Sequence, residues 1–133
     1  MASAKKTMEL EIDFSRLQKL LTIGGPRAAK AVGQALYKEA AQVFEQSQME
    51  VPVDTGNLRN SGQLGLPFVE NGQMVVEISY GGAAADYAIY VHENLESRHQ
   101  PGKKAKFLEG PLKRQTKGMS TRLTRAVEKG LGL

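Results

Sequence analysis

The sequence predicts an α+β fold: a small antiparallel sheet packed by a long helix in the N-terminal half and by a C-terminal helix. Three observations predict it. Apolar residues recur at spacings of three and four over 26–49 and again from Pro111 onward, as in helices with one buried face. Apolar and polar residues alternate in short stretches elsewhere. Gly24-Gly25, Pro52, Asn71-Gly72 and Pro101-Gly102 punctuate the blocks.

Met8, Leu10, Ile12 and Phe14 alternate with Glu9, Glu11 and Asp13, which predicts a leading strand with one apolar and one acidic face. Ser15 suits the cap of a short helix over Arg16–Leu21, because its hydroxyl can accept from an orphaned backbone N–H. Gly24-Gly25 ends that helix. Pro26 opens the next, its fixed φ matching the first helical position, and the stripe Ala28, Ala29, Val32, Ala35, Leu36, Ala40, Val43 and Phe44 carries it to about Met49. Alanines in that stripe let a neighbouring element approach closely. Pro52 stops the helix and biases Val51 toward extended geometry.

Two strands are predicted over Gln63–Val69 and Gln73–Tyr80, joined by a tight hairpin in which Asn71-Gly72 supplies the positive φ values. Pro67 makes the first an edge or bulged strand. Residues 81–85 form a flexible joint, and Asp86–His92 is a further strand or a short helix. Residues 93–106 lack periodicity and predict an exposed loop. Pro111 then opens the last helix, with Leu112, Met119, Leu123, Ala126 and Val127 on one arc and Lys113, Arg114, Lys117, Arg122, Arg125 and Lys129 on the other.

With 133 residues the chain is sized for one domain over 1–133, with a short flexible N-terminus over 1–6. Cysteine is absent, which excludes disulfides, thiolate metal sites and a cysteine nucleophile. No apolar run is long enough to span a bilayer, so cytoplasmic synthesis without a membrane partner is expected. The formal charge of +4 is uneven, with an acidic start and a basic end. The basic end suits phosphate or an acidic protein partner; as a plain alternative it is a solvated helix face.

Asp54-Thr55-Gly56 is the triplet with which aspartic peptidases present a catalytic carboxylate. Here it follows Val51-Pro52-Val53 and a strongly helical run rather than a strand, Asn57 stands where a small or apolar residue is expected, and only one copy exists. The structural alternative is a rigid corner: Asp54 accepts a nearby backbone N–H, Gly56 takes a conformation costly for other residues, and Leu58 anchors the loop in the core. His92 and His99, with Glu93 and Glu96 near, lack a convincingly spaced third metal ligand. Neither a phosphate-binding Gly loop nor a Ser/His/Asp order is present. Tyr37, Tyr80, Tyr87 and Tyr90 read as core-edge residues, since they are not interleaved with Lys or Arg. No catalytic residue, metal or cofactor is assigned.

Taken together, Val51-Pro52-Val53-Asp54-Thr55-Gly56-Asn57-Leu58-Arg59-Asn60-Ser61, Tyr87-Ala88-Ile89-Tyr90-Val91-His92-Glu93 and Phe107-Leu108-Glu109-Gly110-Pro111-Leu112 follow in an order and separation that resembles the lambdoid gene-ten-like family of phage minor virion proteins, also described as tail-completion or neck proteins. The resemblance runs from about Leu10 to the last helix. It departs at Asn94, where that family often has Gly, and in the loop that follows. It implies a non-enzymatic structural protein of a tailed phage or prophage virion, made in the host cytoplasm, that completes the tail and joins it to the head.

Proteins of that region form rings, commonly sixfold, around the DNA channel, so the implied partners are further copies of the chain, neighbouring neck and tail proteins, and channel DNA. On this reading Asp54, Thr55 and Gly56 form a corner that holds Leu58, Arg59 and Ser61 toward neighbours, and Tyr87, Tyr90 and His92 belong to the second motif. Lys113, Lys117, Arg122 and Arg125 would face a charged interface or DNA, with Glu9, Glu11 and Asp13 as a complementary surface. The alternatives are another basic virion or DNA-associated module and, last, an aspartic-type peptidase acting through Asp54.

Overall fold

The computed structural model describes residues 15–52, 56–81, 86–93, 97–99 and 105–133. The leading strand, the Asp54-Thr55 pair and the joint over 82–85 lie outside the described residues. Over the described residues the fold is α+β, with a small antiparallel sheet covered on one face by a long helix and two shorter C-terminal ones.

The long helix, α1, spans Ser15–Glu50 in two pieces, broken at Gly25. Gly25 adopts φ 56° and ψ −135°, a region open essentially to glycine, and Pro26 starts the second piece with no N–H left without a partner. The two-helix expectation is therefore met, with the pieces abutting. Leu17, Leu20, Ala28, Val32, Leu36, Ala40 and Val43 face the core and are at most 3% exposed. Val51, also buried, closes the last turn through its N–H to the Ser47 carbonyl (2.8 Å) before Pro52 ends it.

A single helical turn, α2 (Asn57–Asn60), follows; Gly56 precedes it at φ 70°, as the corner requires. The first half of the hairpin is split into β1 (Gln63–Leu64) and β2 (Phe68–Glu70), both paired antiparallel with β3 (Gln73–Tyr80). Pro67 lies in the gap, consistent with its inability to donate to a ladder. Glu70 pairs with Gln73 across Asn71 (φ 53°) and Gly72 (φ 76°), the two-residue turn that Asn-Gly favours.

β4 (Tyr87–His92) pairs antiparallel with β3 along its whole length, resolving the strand-or-helix ambiguity. Val76, Ile78 and Tyr80 of β3, with Ile89 and Val91 of β4, belong to the core beneath α1. Val75, Ala88 and His92 occupy the opposite face, by alternation.

Two expectations are corrected. The stretch 93–106 is not a continuous loop: β5 (Ser97–His99) pairs antiparallel with β4, supplying partners to its far edge, and Lys106 is already helical. A three-residue edge strand is too short to show periodicity. Pro111 does not open the last helix either. α3 spans Lys106–Gln115 with Pro111 inside it, and α4 spans Met119–Gly130 after a break at Gly118 (φ 75°). Leu108, Leu112 and Gln115 continue the buried stripe one turn earlier than Pro111 suggested.

α4 packs antiparallel on α1: a Cβ added to Gly130 would lie 2.8 Å from Ala31 Cβ, while Arg122 meets Glu39 eight residues back along α4. The alanines of α1 are there for this close approach. Arg16 closes the far end on Glu128 at 2.8 Å.

Candidate functional site

The motif segments converge on one end of the sheet, and the hub is a residue the sequence reading placed only at the core edge. Tyr80, the last residue of β3, is fully buried. Its hydroxyl lies 2.6 Å from Ser47 Oγ and accepts from Gln48 Nε2 at 2.9 Å. Gln48 Nε2 also donates to the Arg59 carbonyl (3.1 Å), so the same amide ties α1 to the corner turn.

Ser61 completes the bracket. Its Oγ donates to the Leu58 carbonyl at 2.6 Å and accepts from the Gly81 N–H at 2.7 Å, fastening the corner to the end of β3. Gly62 sits where no side chain fits: a Cβ there would lie 2.4 Å from Gln48 Nε2 and 2.7 Å from Tyr80 Cε2. Phe107, in the first turn of α3, stacks edge-on against Tyr80 (5.1 Å between centroids) and Tyr87 (5.5 Å), and Phe44 lies 6.0 Å from Tyr80. Desolvation raises the Tyr80 pKa above its ordinary 10.0, outweighing the hydrogen bonds with Ser47 and Gln48. The neutral phenol thus pins α1, the corner turn and β3 together.

The predicted site residues divide accordingly. Gly56 and Leu58 behave as corner residues, Leu58 packing against the core. Arg59 is exposed, and its carbonyl accepts from Gln48 Nε2 and from the Gly62 N–H. Ser61 points inward and serves the fold. Tyr87 lies on the core side with Tyr80, its cross-strand partner. Tyr90 and His92 stand on the other face, paired with Glu77 and Val75, and His92 is buried there at 7% exposure. Among the described residues no group of three His, Asp or Glu side chains could hold a metal.

The cations of the last two helices also divide. Arg122 donates from Nε and Nη2 to the nearly buried Glu39 carboxylate at 2.8–3.1 Å and from Nη1 and Nη2 to the Lys117 and Gln115 carbonyls at 3.0 and 2.8 Å. It therefore caps the end of α3 while clamping α1. The hydrogen bonds to Glu39 raise the Arg122 pKa above that of a free guanidinium. Gln115 Nε2 reinforces the seam, donating to Glu39 Oε1 (2.7 Å) and Gln42 Oε1 (2.8 Å). Arg114 is likewise turned to Glu50 and Gln46. Lys113, Lys117 and Arg125 remain exposed and make no ion pair among the described residues.

Ser47, Gln48, Gly62, Glu39 and Gln115 escaped the sequence reading. One signal was available for Ser47, which falls four residues after Val43 on the buried stripe, where a polar residue needs a partner.

No family model matches this sequence, and no curated protein or solved structure matches it either. What the molecule defines by itself is an α+β domain with a pinned corner and a partly cationic helical face. Among the described residues no helix is long and apolar enough to cross a membrane.

Proposed function

We propose that the chain is a non-enzymatic structural subunit of a tailed phage or prophage virion, acting in the neck where the tail is completed and joined to the head. The subunit closes with further copies into a ring, commonly sixfold in such assemblies, around the DNA channel. The observation that carries this reading is the convergence of the three motif segments. Ser61, Tyr80, Tyr87 and Phe107 come from separate parts of the chain, yet hydrogen bonds and ring contacts join them at one end of the sheet. Such a network fixes a shape, and a ring subunit needs fixed, mutually complementary surfaces.

Arg59, exposed beside the pinned corner, is the side chain this arrangement offers to a neighbour. Lys113, Lys117 and Arg125 are the cations available for neighbouring subunits or for channel DNA, since Arg122 is committed to Glu39. Electron microscopy of particles assembled without this protein tests the proposal. Separate heads and tails are expected, and intact infectious virions would refute it. A charge reversal of Lys117 and Arg125 should then lower virion yield without unfolding the chain.

The exposed cations favour one second reading, a basic DNA-associated module. Duplex binding by the isolated monomer that weakens steeply with salt would support it.

A further inference from the structure

Cations stand at the same spacing in the two helices that pack antiparallel. α1 carries Arg27, Lys30, Gln34 and Lys38, and α4 carries Arg122, Arg125 and Lys129. Both runs begin i, i+3, i+7, so each lines one stripe of its helix, and all of these side chains are exposed. Arg27 Nη2 donates to the Gly130 carbonyl at 3.2 Å, and Arg122 reaches Glu39 at 2.8 Å, so an arginine crosses from each helix to the other on the solvent side of the seam. The two stripes therefore flank one shallow trough. It is narrow, because a Cβ added to Gly130 would lie 2.8 Å from Ala31 Cβ.

Charge on this surface is one-sided. Residues 15–38 of α1 include Arg16, Lys19, Arg27, Lys30 and Lys38 and no Asp or Glu. Of the acids that follow or face this stretch, Glu39 is held by Arg122 and Glu128 by Arg16, while Glu45, seven residues past Lys38, ends the stripe. Arg27, Lys30, Lys38, Arg125 and Lys129 make no ion pair among the described residues. From Arg27 to Lys38 the stripe runs about 17 Å, over which one strand of a DNA duplex presents about five phosphates.

We infer that the seam between α1 and α4 binds the phosphate backbone of duplex DNA, with Lys30 and Lys38 of α1 and Arg125 and Lys129 of α4 as the contacting cations. Arg27 and Arg122 stay on their protein partners and hold the two stripes in register. The major groove is about 12 Å wide and admits one helix; two helices side by side are too broad for it, so the seam lies across the backbone and reads no bases. Between the stripes stand Ala31, Ala35 and Ala126, too small to supply the aromatic or aliphatic anchor on which a protein partner's affinity would centre. The inference rests on the cationic helical face that both readings above use, and adds the α1 lysines to it.

Fluorescence anisotropy of the full chain with a labelled duplex of random sequence tests this. Four phosphate contacts predict that log affinity falls with log salt at a slope of about −4, and Lys30→Ala/Lys38→Ala should bring the slope to about −2 and weaken binding about tenfold or more at low salt. Lys106→Ala removes an equally exposed cation from the first turn of α3 and should change neither. Absence of binding at about 50 mM salt overturns the inference. So does an equal loss from Lys106→Ala, since net charge alone would then account for binding. Displacement of the duplex by polyglutamate at equal charge also overturns it, in favour of an acidic protein partner. The measurement uses the isolated chain, whereas particles assembled without the protein test its role in the virion, so either can fail alone.

Discussion

α1 is anchored at its two flanks by polar groups of opposite kinds. Against α3 and α4 the anchor is ionic, Glu39 with Arg122 and Gln115; against β3 it is neutral, Ser47 and Gln48 with Tyr80. The difference follows depth. The Arg122 side chain is 43% exposed, so the pair is formed without wholly removing the guanidinium from water. Tyr80 and Ser47 are both at 0%, where an unpaired charge would cost several kcal/mol and a hydroxyl needs only one good partner. Burial decides which chemistry can hold two elements together.

Breaking the ionic anchor should cost most. Arg122→Ala leaves Glu39 nearly buried with Gln115 as its remaining donor, and a loss of about 2–3 kcal/mol is expected in urea unfolding. Adding Glu39→Gln should recover part of that loss, as a double-mutant cycle would show.

Gly62→Ala attacks the neutral anchor by volume rather than charge, forcing the Gln48 amide and the Tyr80 ring apart. About 2 kcal/mol is expected in urea unfolding. Tyr80→Phe should cost only about 1 kcal/mol, because Ser47 still donates to the Phe44 carbonyl and Gln48 to that of Arg59. The same variant isolates a pH effect. The folded-state pKa of Tyr80 lies above 10.0, so the unfolded chain ionises first and stability falls as pH climbs from 10.0 toward the folded value. Thermal unfolding of Tyr80→Phe across that range should lack this residue's share of the fall.

Glu93 sharpens the comparison with an intermediate case, a half-buried carboxylate held by the Met74 N–H (3.1 Å). Desolvation raises its pKa above 4.5, which means the unfolded chain gives up its proton first and the group weakens the fold once pH exceeds that value. Glu93→Gln should therefore raise the melting temperature slightly at pH 7, and the gain should vanish below pH 4.5. An equal gain at both pH values would show that charge is not the cause.

The helices and the hairpin were legible because their signals are local. Gly24-Gly25-Pro26, Pro52 and Asn71-Gly72 each dictate a backbone event within two or three residues, and the alanine stripe announced a close partner. β5 was not legible, since three residues carry no period and its pairing depends on β4. The start of α3 was missed because a proline suits the first helical position, whereas Pro111 stands inside α3, where its missing N–H leaves the Phe107 carbonyl without its usual donor. At the site, Gly56 at the corner and Leu58 against the core followed from the sequence; the meeting of the motif segments did not. Nor did the hub: Tyr80 lies more than thirty residues from Ser47 and Gln48, and only the fold reveals that one hydroxyl joins them.

Gly25 divides α1 into a ten-residue stub and a shaft that carries most of the helical core. Because its backbone angles are closed to other side chains, the bend falls at one fixed place. Leu17 and Leu20 seat the stub in the same core as the shaft, so the angle between the two pieces is set by one glycine and held by packing, and a partner that grips the stub meets a surface of fixed tilt.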